Sequence, residues 1–273
     1  MKKILLLSFC FAAVYANGQN IKLINGKKIT ATTTTSMDMD MGMAGQMKMA
    51  TSTTNVLDVT TTDDNSYKAT NTITKVSISQ EGMGQSVNFD SDKKEDRETE
   101  VGKEASKQLD KPAEISIEKN TGKVIEINKK TSSEDGADKN PMADIMGDTK
   151  SAEVTAASAF LVIPAGKKIG DKWTDSTTEA GMKGIKTYEL KSINEGIAII
   201  AVKASAKGII SKEAQGMQFD ITMNSTGNGS ILVDTKTGLV KKNDITSDVI
   251  GTLDMMGQSI PISMKMIASS VFE

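Results

Sequence analysis

Apolar and polar residues alternate with a period of two along most of the chain, which is the pattern of β-strands that bury one face. The alternation is clearest in three segments, 115–127, 193–202 and 231–240, and a polar turn interrupts each of them. Gly122 and Gly238 occupy positions where a short hairpin needs a positive φ, and such turns often carry a G1 bulge. Each segment is therefore predicted to form a strand, a turn and a second strand.

The turn signals recur in the same order in the two halves of the chain, which indicates an internal duplication. The matched segments are 26–29 with 166–169, 44–48 with 180–183, 64–65 with 194–195, 82–85 with 215–218, and the Thr-Gly turns at 121 and 237. A charged insert at 90–111 changes the spacing in the first half, and it is predicted to be a solvated loop or a short surface helix. Coincidence in a chain rich in Thr, Ser and Gly is the alternative to duplication.

These patterns predict a mainly β protein with antiparallel, curved sheets or an incomplete barrel, duplicated into two lobes with one short helix between the halves. The predicted units are a first β lobe over 20–130, a polar connector and helix over 131–165, and a second β lobe over 166–273. The helix is expected over 151–161, with Ser151 as its N-cap. Its predicted apolar stripe consists of Val154, Ala157, Phe160 and Leu161.

Residues 1–19 have the pattern of a secretory signal peptide rather than of folded structure. A pair of lysines precedes an apolar run at 4–14, and Val14 and Ala16 supply the short residues expected at the −3 and −1 positions of a cleavage site. A lipoprotein signal ending at Cys10 is the alternative, although the bulky Phe9 precedes that cysteine. No other apolar run approaches the roughly 20 residues that a membrane-spanning helix needs. The chain is therefore expected to be exported to the periplasm or the extracellular space, without a transmembrane segment.

The composition excludes several classes of chemistry. The chain has no His, a single Arg (Arg97), and 33 Lys+Arg against 35 Asp+Glu. Without imidazole there is no Ser-His-Asp or Cys-His catalysis and no His-ligated metal. The near-zero net charge lacks the basic footprint of a nucleic-acid binder, and no P-loop, dinucleotide fingerprint or nucleophile elbow is present. We therefore predict that the protein is not an enzyme and has no catalytic residue, no cofactor and no nucleic-acid partner.

Six methionines share one parity in the segment 36–49. They are Met37, Met39, Met41, Met43, Met47 and Met49, whereas the even positions are polar or small. In an extended strand this spacing places the thioethers on one face and the polar groups on the other. A turn at 44–46 would fold the segment into a hairpin with all six methionines on a common side. These six residues are the candidate ligand-binding residues.

In a first interpretation of these methionines, their flexible side chains pack into a core or line an adaptable apolar cavity. Such a cavity would bind a hydrophobic small molecule, a lipid or a protein partner. A matching apolar cluster would come from Met255, Met256, Met264 and Met266. This interpretation needs nothing beyond the alternation of a half-buried strand.

In a second interpretation the methionines bind Cu(I), a soft ion that accepts thioether ligands. Asp38 and Asp40 would then flank the site and attract the cation. The segment resembles the M-x-M runs of exported copper-resistance proteins, which usually include His, and this chain has none. The ligands would be Met37, Met39, Met41 and Met43.

Short motifs resemble those of the uncharacterised secreted domain-of-unknown-function families that are common in Bacteroidota. The first half carries FDS at 89–91 and TGKV at 121–124, and the second half carries GDKW at 170–173 and VDTKTGLV at 233–240. This resemblance covers most of the chain, implies an exported β protein and transfers no catalytic residue. More remotely, the architecture is similar to that of periplasmic lipoprotein carriers, which fold as an incomplete barrel around an apolar cavity.

The leading hypothesis is thus an exported, non-enzymatic β protein that binds an apolar or lipid-like ligand, or a protein partner, at the methionine strand. The alternative is a periplasmic Cu(I)-binding protein. A third hypothesis is a hydrolase with paired carboxylates, but no spacing in the sequence singles out an acid–base pair.

Overall fold

The computed structural model describes residues 21–23, 26–82, 84–107, 109–128, 156–179, 181–214, 217–255 and 258–273. In this part of the chain the strands are β1 (Lys28–Asp40), β2 (Gln46–Thr62), β3 (Ser66–Gly82), β4 (Gln85–Asp90), β5 (Pro112–Glu118), β6 (Val124–Asn128), β7 (Lys172–Glu179), β8 (Met182–Asn194), β9 (Ile197–Ala214), β10 (Met217–Asp234), β11 (Val240–Met255) and β12 (Gln258–Phe272). The helices are α1 (Lys94–Glu98) and α2 (Glu100–Ser106), with a 3₁₀ turn at Gly42–Ala44 and one helical turn at 156–158.

All of these strands belong to one antiparallel sheet. Its order is β6-β5-β3-β2-β1-β12-β11-β10-β9-β8-β7, and β4 pairs with β3 off this path. The two edge strands, β6 and β7, do not pair with each other among the described residues, so the sheet is not closed. The predicted mainly β, antiparallel and incomplete architecture is therefore confirmed.

The first and last strands join the two halves of the chain. β1 pairs with β2 on one side and with β12 on the other, where the register runs from Ala31↔Phe272 to Asp40↔Ser263. The halves consequently form one continuous sheet with β1 and β12 near its centre. The boundaries of the two lobes proposed from the sequence stay a prediction.

The strand order repeats between the halves, as a duplication predicts. β1, β2 and β3 are consecutive neighbours in the first half, and β7, β8 and β9 are consecutive neighbours in the second. β10 pairs along the whole of β9, whereas β4 pairs with residues 77–82 of β3 and β5 pairs with residues 66–72. The charged insert lies between β4 and β5 and contains α1 and α2, so the predicted short surface helix is confirmed. The insert interrupts what is one long strand in the second half.

The two Thr-Gly hairpins have the same geometry. Gly122 has a φ of 74° and Gly238 a φ of 73°. Their amides donate hydrogen bonds of 2.8 Å to the carbonyl oxygens of Glu118 and Asp234, four residues earlier. A register shift follows in both strand pairs, β5–β6 and β10–β11. The predicted bulged hairpins are therefore present in both halves.

The hydrophobic core lies at one end of the sheet, the end where β1 begins and β12 ends. Its buried side chains include Ile29, Ala31, Leu57, Val59, Leu190, Ile200, Val202, Val233 and Phe272. Two segments outside the strands cover this end, since Ile21, Phe160 and Ile163 are buried against the same cluster. The Tyr67 hydroxyl donates a 3.0 Å hydrogen bond to the carbonyl oxygen of Ile21 and fixes one of these segments. The strands continue beyond this core.

The prediction of a helix over 151–161 is wrong for residues 159–161. Residues 151–155 lie outside the described residues, and the helical turn ends at 158. The Val240 amide donates a 2.9 Å hydrogen bond to the carbonyl oxygen of Ala159, so the backbone pairs with the start of β11 instead of continuing the helix. Of the predicted stripe, Val154 is not described, Ala157 is exposed, Phe160 is buried and Leu161 is half-buried.

Candidate ligand-binding groove

One face of the sheet carries the core, and we call it the inner face. Ala31 of β1 and Leu57 of β2 point to this side because they are buried in the core. Successive side chains of a strand point to opposite faces, so the odd-numbered residues of β1 and β2 share the inner face. The pairing between these two strands has no register shift, which keeps this parity along their whole length.

Six methionines form an array of two rows on the inner face. Met37 lies opposite Met49 of β2 and Met266 of β12, and Met39 lies opposite Met47 and Met264 of the same two strands. Met47 is 1% exposed and Met37 is 8% exposed, while the other four are half-buried. We call Met37, Met39, Met47, Met49, Met264 and Met266 the thioether array.

Two of the six predicted site residues lie outside this arrangement. Met41 follows the end of β1 and is half-buried, and Met43 lies in the 3₁₀ turn and is exposed. The Met41 amide donates to the carbonyl oxygen of Gly45 at 3.0 Å, so the turn begins earlier than the predicted 44–46. Neither residue belongs to the array, and Met43 does not share the common face.

The sequence predicts Met264 and Met266 only as members of an apolar cluster that matches the methionine strand. The structure places them directly opposite Met39 and Met37 of β1. Met256, another member of that predicted cluster, lies outside the described residues. The signal that could have found them is a repeated tripeptide, since Met-Asp-Met at 37–39 lies between Met-Lys-Met at 47–49 and Met-Lys-Met at 264–266. These three copies supply all six thioethers.

The expectation that Asp38 and Asp40 flank a cation beside the thioethers is wrong. Both side chains have the opposite parity and are exposed on the outer face of the sheet. Asp38 lies directly opposite Lys48 and Lys265, and this row continues to Glu81 and Asp248. Cross-strand pairs of opposite charge each contribute roughly 0.2–1 kcal/mol. The alternation of opposite charges therefore favours the observed register of the three tripeptides from the outer face.

Beyond the array, the inner face of β9, β10 and β11 is lined mostly by small or apolar residues. Half-buried positions there include Ala204, Ala206, Gly208, Met223, Ser225, Gly227, Ser247, Val249 and Gly251. Among the described residues, the segments outside the strands pack at the core end, beside β4 or, in the case of the 3₁₀ turn, against β12 near Pro261. This stretch of the inner face, together with the array, therefore forms an apolar groove, which we call the groove.

Shallow cavities on the sheet have the volume of ligand sites. One of about 410 Å³ is lined by charged residues of the outer face, Asp38, Asp40, Lys48, Asp248 and Lys265, with Met39, Met47 and Met264 between them. A second of about 390 Å³ is lined by the outer-face residues Lys203, Asn228, Asp244 and Thr246, with Val202, Gly229 and Ile245 between them. Small-molecule sites usually occupy roughly 300–1,000 Å³. Both cavities open on the outer face, so neither is part of the groove.

Lys186 lies on the inner face of β8 opposite Ala204, whereas the groups with a shifted pKa lie away from the thioether array. The described groups with a shifted pKa are Asp63, Lys75, Tyr188, Glu189 and Asp244. The pKa of Asp63 is lowered because the Ser66 hydroxyl and amide donate to it in the β2–β3 turn. Burial raises the pKa of Tyr188 to about 12 in the core. In the described parts of β1, β2 and β10 to β12, the inner face carries no titratable side chain near the array.

The side-chain donors at the thioether array are therefore thioethers and one neighbouring amide. The Gln80 side-chain amide donates to the Met47 sulfur at 3.5 Å. No group of three or more His, Cys, Asp or Glu side chains that could hold a metal ion occurs among the described residues. Such a surface can bind apolar matter or a soft ion, and it offers no nucleophile activated by a neighbouring base.

This fold and groove define a class: an open antiparallel sheet with an apolar inner surface. Within that class the chain belongs to a family of unknown function, DUF6263, whose model matches residues 64–240. The predicted resemblance to a domain-of-unknown-function family is thus confirmed at the level of the family. The thioether array lies outside the matched residues.

The sheet is also similar to solved structures. Lipovitellin, in a structure of its lipid–protein interactions, matches 92% of this chain with a TM-score of 0.51 and 11% identity, and the chain spans 25% of that protein's length. The match to the Pseudomonas aeruginosa protein OccK5 (OpdH) covers 91% of this chain and 99% of the OccK5 chain, with 6% sequence identity and a TM-score of 0.28. The match to an outer membrane channel of Pseudomonas putida F1 covers 93% of this chain and 97% of the channel chain, with 8% sequence identity and a TM-score of 0.23. No curated protein matches the sequence.

The helices of the described residues are all too short or too polar to cross a membrane.

Proposed function

We propose that this chain is an exported, non-enzymatic protein that binds an apolar, lipid-like ligand along the groove. The observation that carries this proposal is the half-buried apolar inner face beyond the core, where Met39, Val249 and Met264 lie side by side on adjacent strands. Monomeric proteins seldom leave a large contiguous apolar surface open unless it binds something. The similarity of the sheet to lipovitellin supports the proposal at the level of the fold.

The lining of the groove suits a flexible, variable ligand. Methionine side chains adapt their shape to different apolar partners, and they occupy one end of the groove. Small residues such as Ala204, Ala206 and Ser225 occupy the other end and let a chain approach the backbone closely. Burial of apolar ligand surface contributes about 25 cal/mol per Å², so an alkyl chain gains affinity along the whole length of the groove.

The direct test is binding of a fluorescent fatty acid to the purified chain. We expect saturable binding of 11-dansylaminoundecanoic acid, with a blue-shifted emission, and competition by unlabelled long-chain fatty acids. Organic extraction of the protein after purification should also release a lipid that mass spectrometry identifies. A linear, non-saturable signal together with an empty extract would overturn the proposed function.

Filling the groove from β9 should weaken this binding. Ala206 is half-buried on the inner face, opposite Ser225 and Gly184. An Ala206→Phe side chain would occupy the space that the ligand needs, and we expect the fatty-acid probe to bind at least about tenfold more weakly, which equals about 1.4 kcal/mol. The measurement is a fluorescence titration at constant probe concentration.

The matched control is Ser205→Phe, because Ser205 is exposed on the outer face of the same strand. We expect this variant to bind the probe like the wild type. Thermal unfolding of both variants checks that the sheet is intact. Equal probe affinities for the two folded variants would contradict binding on the inner face.

Export is part of the proposal and has its own test. The motivation is the lysine pair and apolar run within residues 1–19. When the full chain is expressed with its own N-terminus in a Gram-negative host, we expect a periplasmic or extracellular product shortened by about 16 to 19 residues. Intact-mass spectrometry of the purified product measures this. A full-length cytoplasmic product would contradict export.

A further inference from the structure

We propose that the thioether array is a binding site for one soft monovalent cation, Cu(I) or Ag(I). The proposal goes beyond the apolar ligand and does not depend on it. It differs from the sequence-based copper hypothesis in its ligands, because the structure excludes Met41 and Met43 from the array and adds Met264 and Met266 from β12.

The register brings the sulfurs within reach of a single ion. Met39 lies directly opposite Met264, and Met37 lies directly opposite Met266. Opposite residues of antiparallel strands are about 4.5–5.5 Å apart, and residues two apart on one strand are about 7 Å apart. A methionine side chain has three rotatable bonds, so the thioethers at the corners of this small rectangle can converge on a point above its centre.

The chemistry of the array selects the class of ion. Thioethers are soft, neutral ligands that favour Cu(I) over hard divalent cations. Asp38 and Asp40 face the other side of the sheet, so they supply no hard oxygen ligand to this site. A site of neutral sulfurs in an apolar groove also favours a single positive charge, because a second charge would cost more to desolvate.

The six methionines are not equally available to an ion. Met47 is 1% exposed, and its sulfur accepts the 3.5 Å hydrogen bond from Gln80. Met39, Met49, Met264 and Met266 are half-buried and line the groove. We assign the ion to the rectangle of Met37, Met39, Met264 and Met266, with Met49 as its neighbour.

Charged residues on the outer face favour the register that places the methionines of β1 and β12 opposite each other. Lys48, Asp38 and Lys265 are the central residues of the three tripeptides and lie in one row. A shift of β12 by one residue would turn its methionines to the solvent side. A shift by two residues would break the Asp38–Lys265 pairing. The charge row therefore favours the register in which the thioethers of β1 and β12 meet.

The test is a titration of the purified chain with Ag(I) in chloride-free buffer, repeated with Cu(I) in competition with a Cu(I) chelator under a reducing atmosphere. We expect one equivalent to bind. The fourfold variant Met37→Leu, Met39→Leu, Met264→Leu, Met266→Leu should lose at least 100-fold in affinity. The matched control is Met182→Leu with Met223→Leu, because these half-buried inner-face methionines lie outside the array, and it should keep the wild-type affinity.

Leucine and methionine have similar volumes, so the fourfold variant keeps an apolar groove. The Ala206→Phe variant, which lies outside the array and should lose affinity for the fatty-acid probe, should keep the wild-type ion affinity, and this separates the ion site from the proposed lipid function. If the fourfold variant does not fold, the pair Met39→Leu with Met264→Leu replaces it, with an expected loss of at least tenfold. Wild-type ion affinity in the folded variant, or an equal loss in the control, would overturn the proposal.

Discussion

We expect the Phe272→Ala variant to lose about 4 kcal/mol in free energy of unfolding, in the range known for buried Phe→Ala substitutions. Phe272 is 2% exposed and lies opposite Ala31 of β1, at the end of β12. Its ring belongs to the same buried cluster as Ile29 and Val240. Removing the ring leaves a cavity where the first and last strands of the sheet meet. Guanidinium chloride unfolding followed by circular dichroism measures the loss.

Val271→Ala is the matched control for this substitution. Val271 is 38% exposed on the outer face and lies opposite Thr32 of β1. We expect it to cost less than about 1 kcal/mol, as surface substitutions usually do. Equal losses for the two variants would show that the inner face at this end is not the core.

The same experiment tests whether the two halves unfold together. β12 pairs with β1 of the first half and with β11 of the second. If the continuous sheet is one cooperative unit, Phe272→Ala shifts a single transition to lower denaturant concentration. Two transitions, of which only one shifts, would show that the halves are separate folding units.

The strands and turns of this fold could be predicted because their signals are local. Alternation within 231–240 marks two strands, and Gly238 marks the turn between them. Pairing between β1 and β12 joins residues more than two hundred positions apart, and periodicity within a strand carries no information on its distant partner. The sequence signal for this pairing is the repeated Met-x-Met tripeptide. Its central residue is acidic in β1 (Asp38) and basic in the two neighbouring strands (Lys48 and Lys265).

The errors in the candidate site have equally physical causes. Alternation places Asp38 and Met39 on opposite faces, so the pattern that predicted a methionine face also excludes carboxylates from it. The predicted turn at 44–46 followed from Gly45, but the chain already turns at Met41, which removes Met43 from the common face. The helix over 151–161 was predicted from local spacing, whereas tertiary pairing of Ala159 with Val240 ends it.

The Gly229→Ala variant should lose about 3 kcal/mol, at the upper end of the cost of overpacking. Gly229 lies on the inner face of β10, opposite Ile245 and Val202. A Cβ atom there would lie 1.9 Å from the carbonyl oxygen of Asp244 on the neighbouring strand. In a flat sheet a Cβ points away from its neighbours, so the backbone of β11 lies closer to Gly229 than a Cβ allows, and we interpret this contact as a local bend of the sheet.

Two other inner-face glycines show the same bend. A Cβ at Gly208 would lie 2.1 Å from the carbonyl oxygen of Gly181, and one at Gly251 would lie 2.0 Å from that of Thr222. Glycines at such positions let a sheet curve without a clash. Because the obstacle is backbone, the Gly229→Ala variant can accommodate its methyl group only by straightening the sheet. We therefore expect it to bind the fatty-acid probe more weakly as well.

Gly184→Ala is the control, since Gly184 also lies on the inner face and its added Cβ comes closest to the Thr177 hydroxyl at 2.9 Å, with the Ala206 Cβ and the Ser205 carbonyl oxygen both at 3.9 Å. A hydroxyl can rotate away, and the substitution also reduces the entropy of the unfolded chain. We expect a change of less than about 1 kcal/mol, measured by the same denaturant titration. An unchanged stability in Gly229→Ala would mean that the bend is not fixed by glycine. The groove would then owe its shape to the long strands and their twist alone.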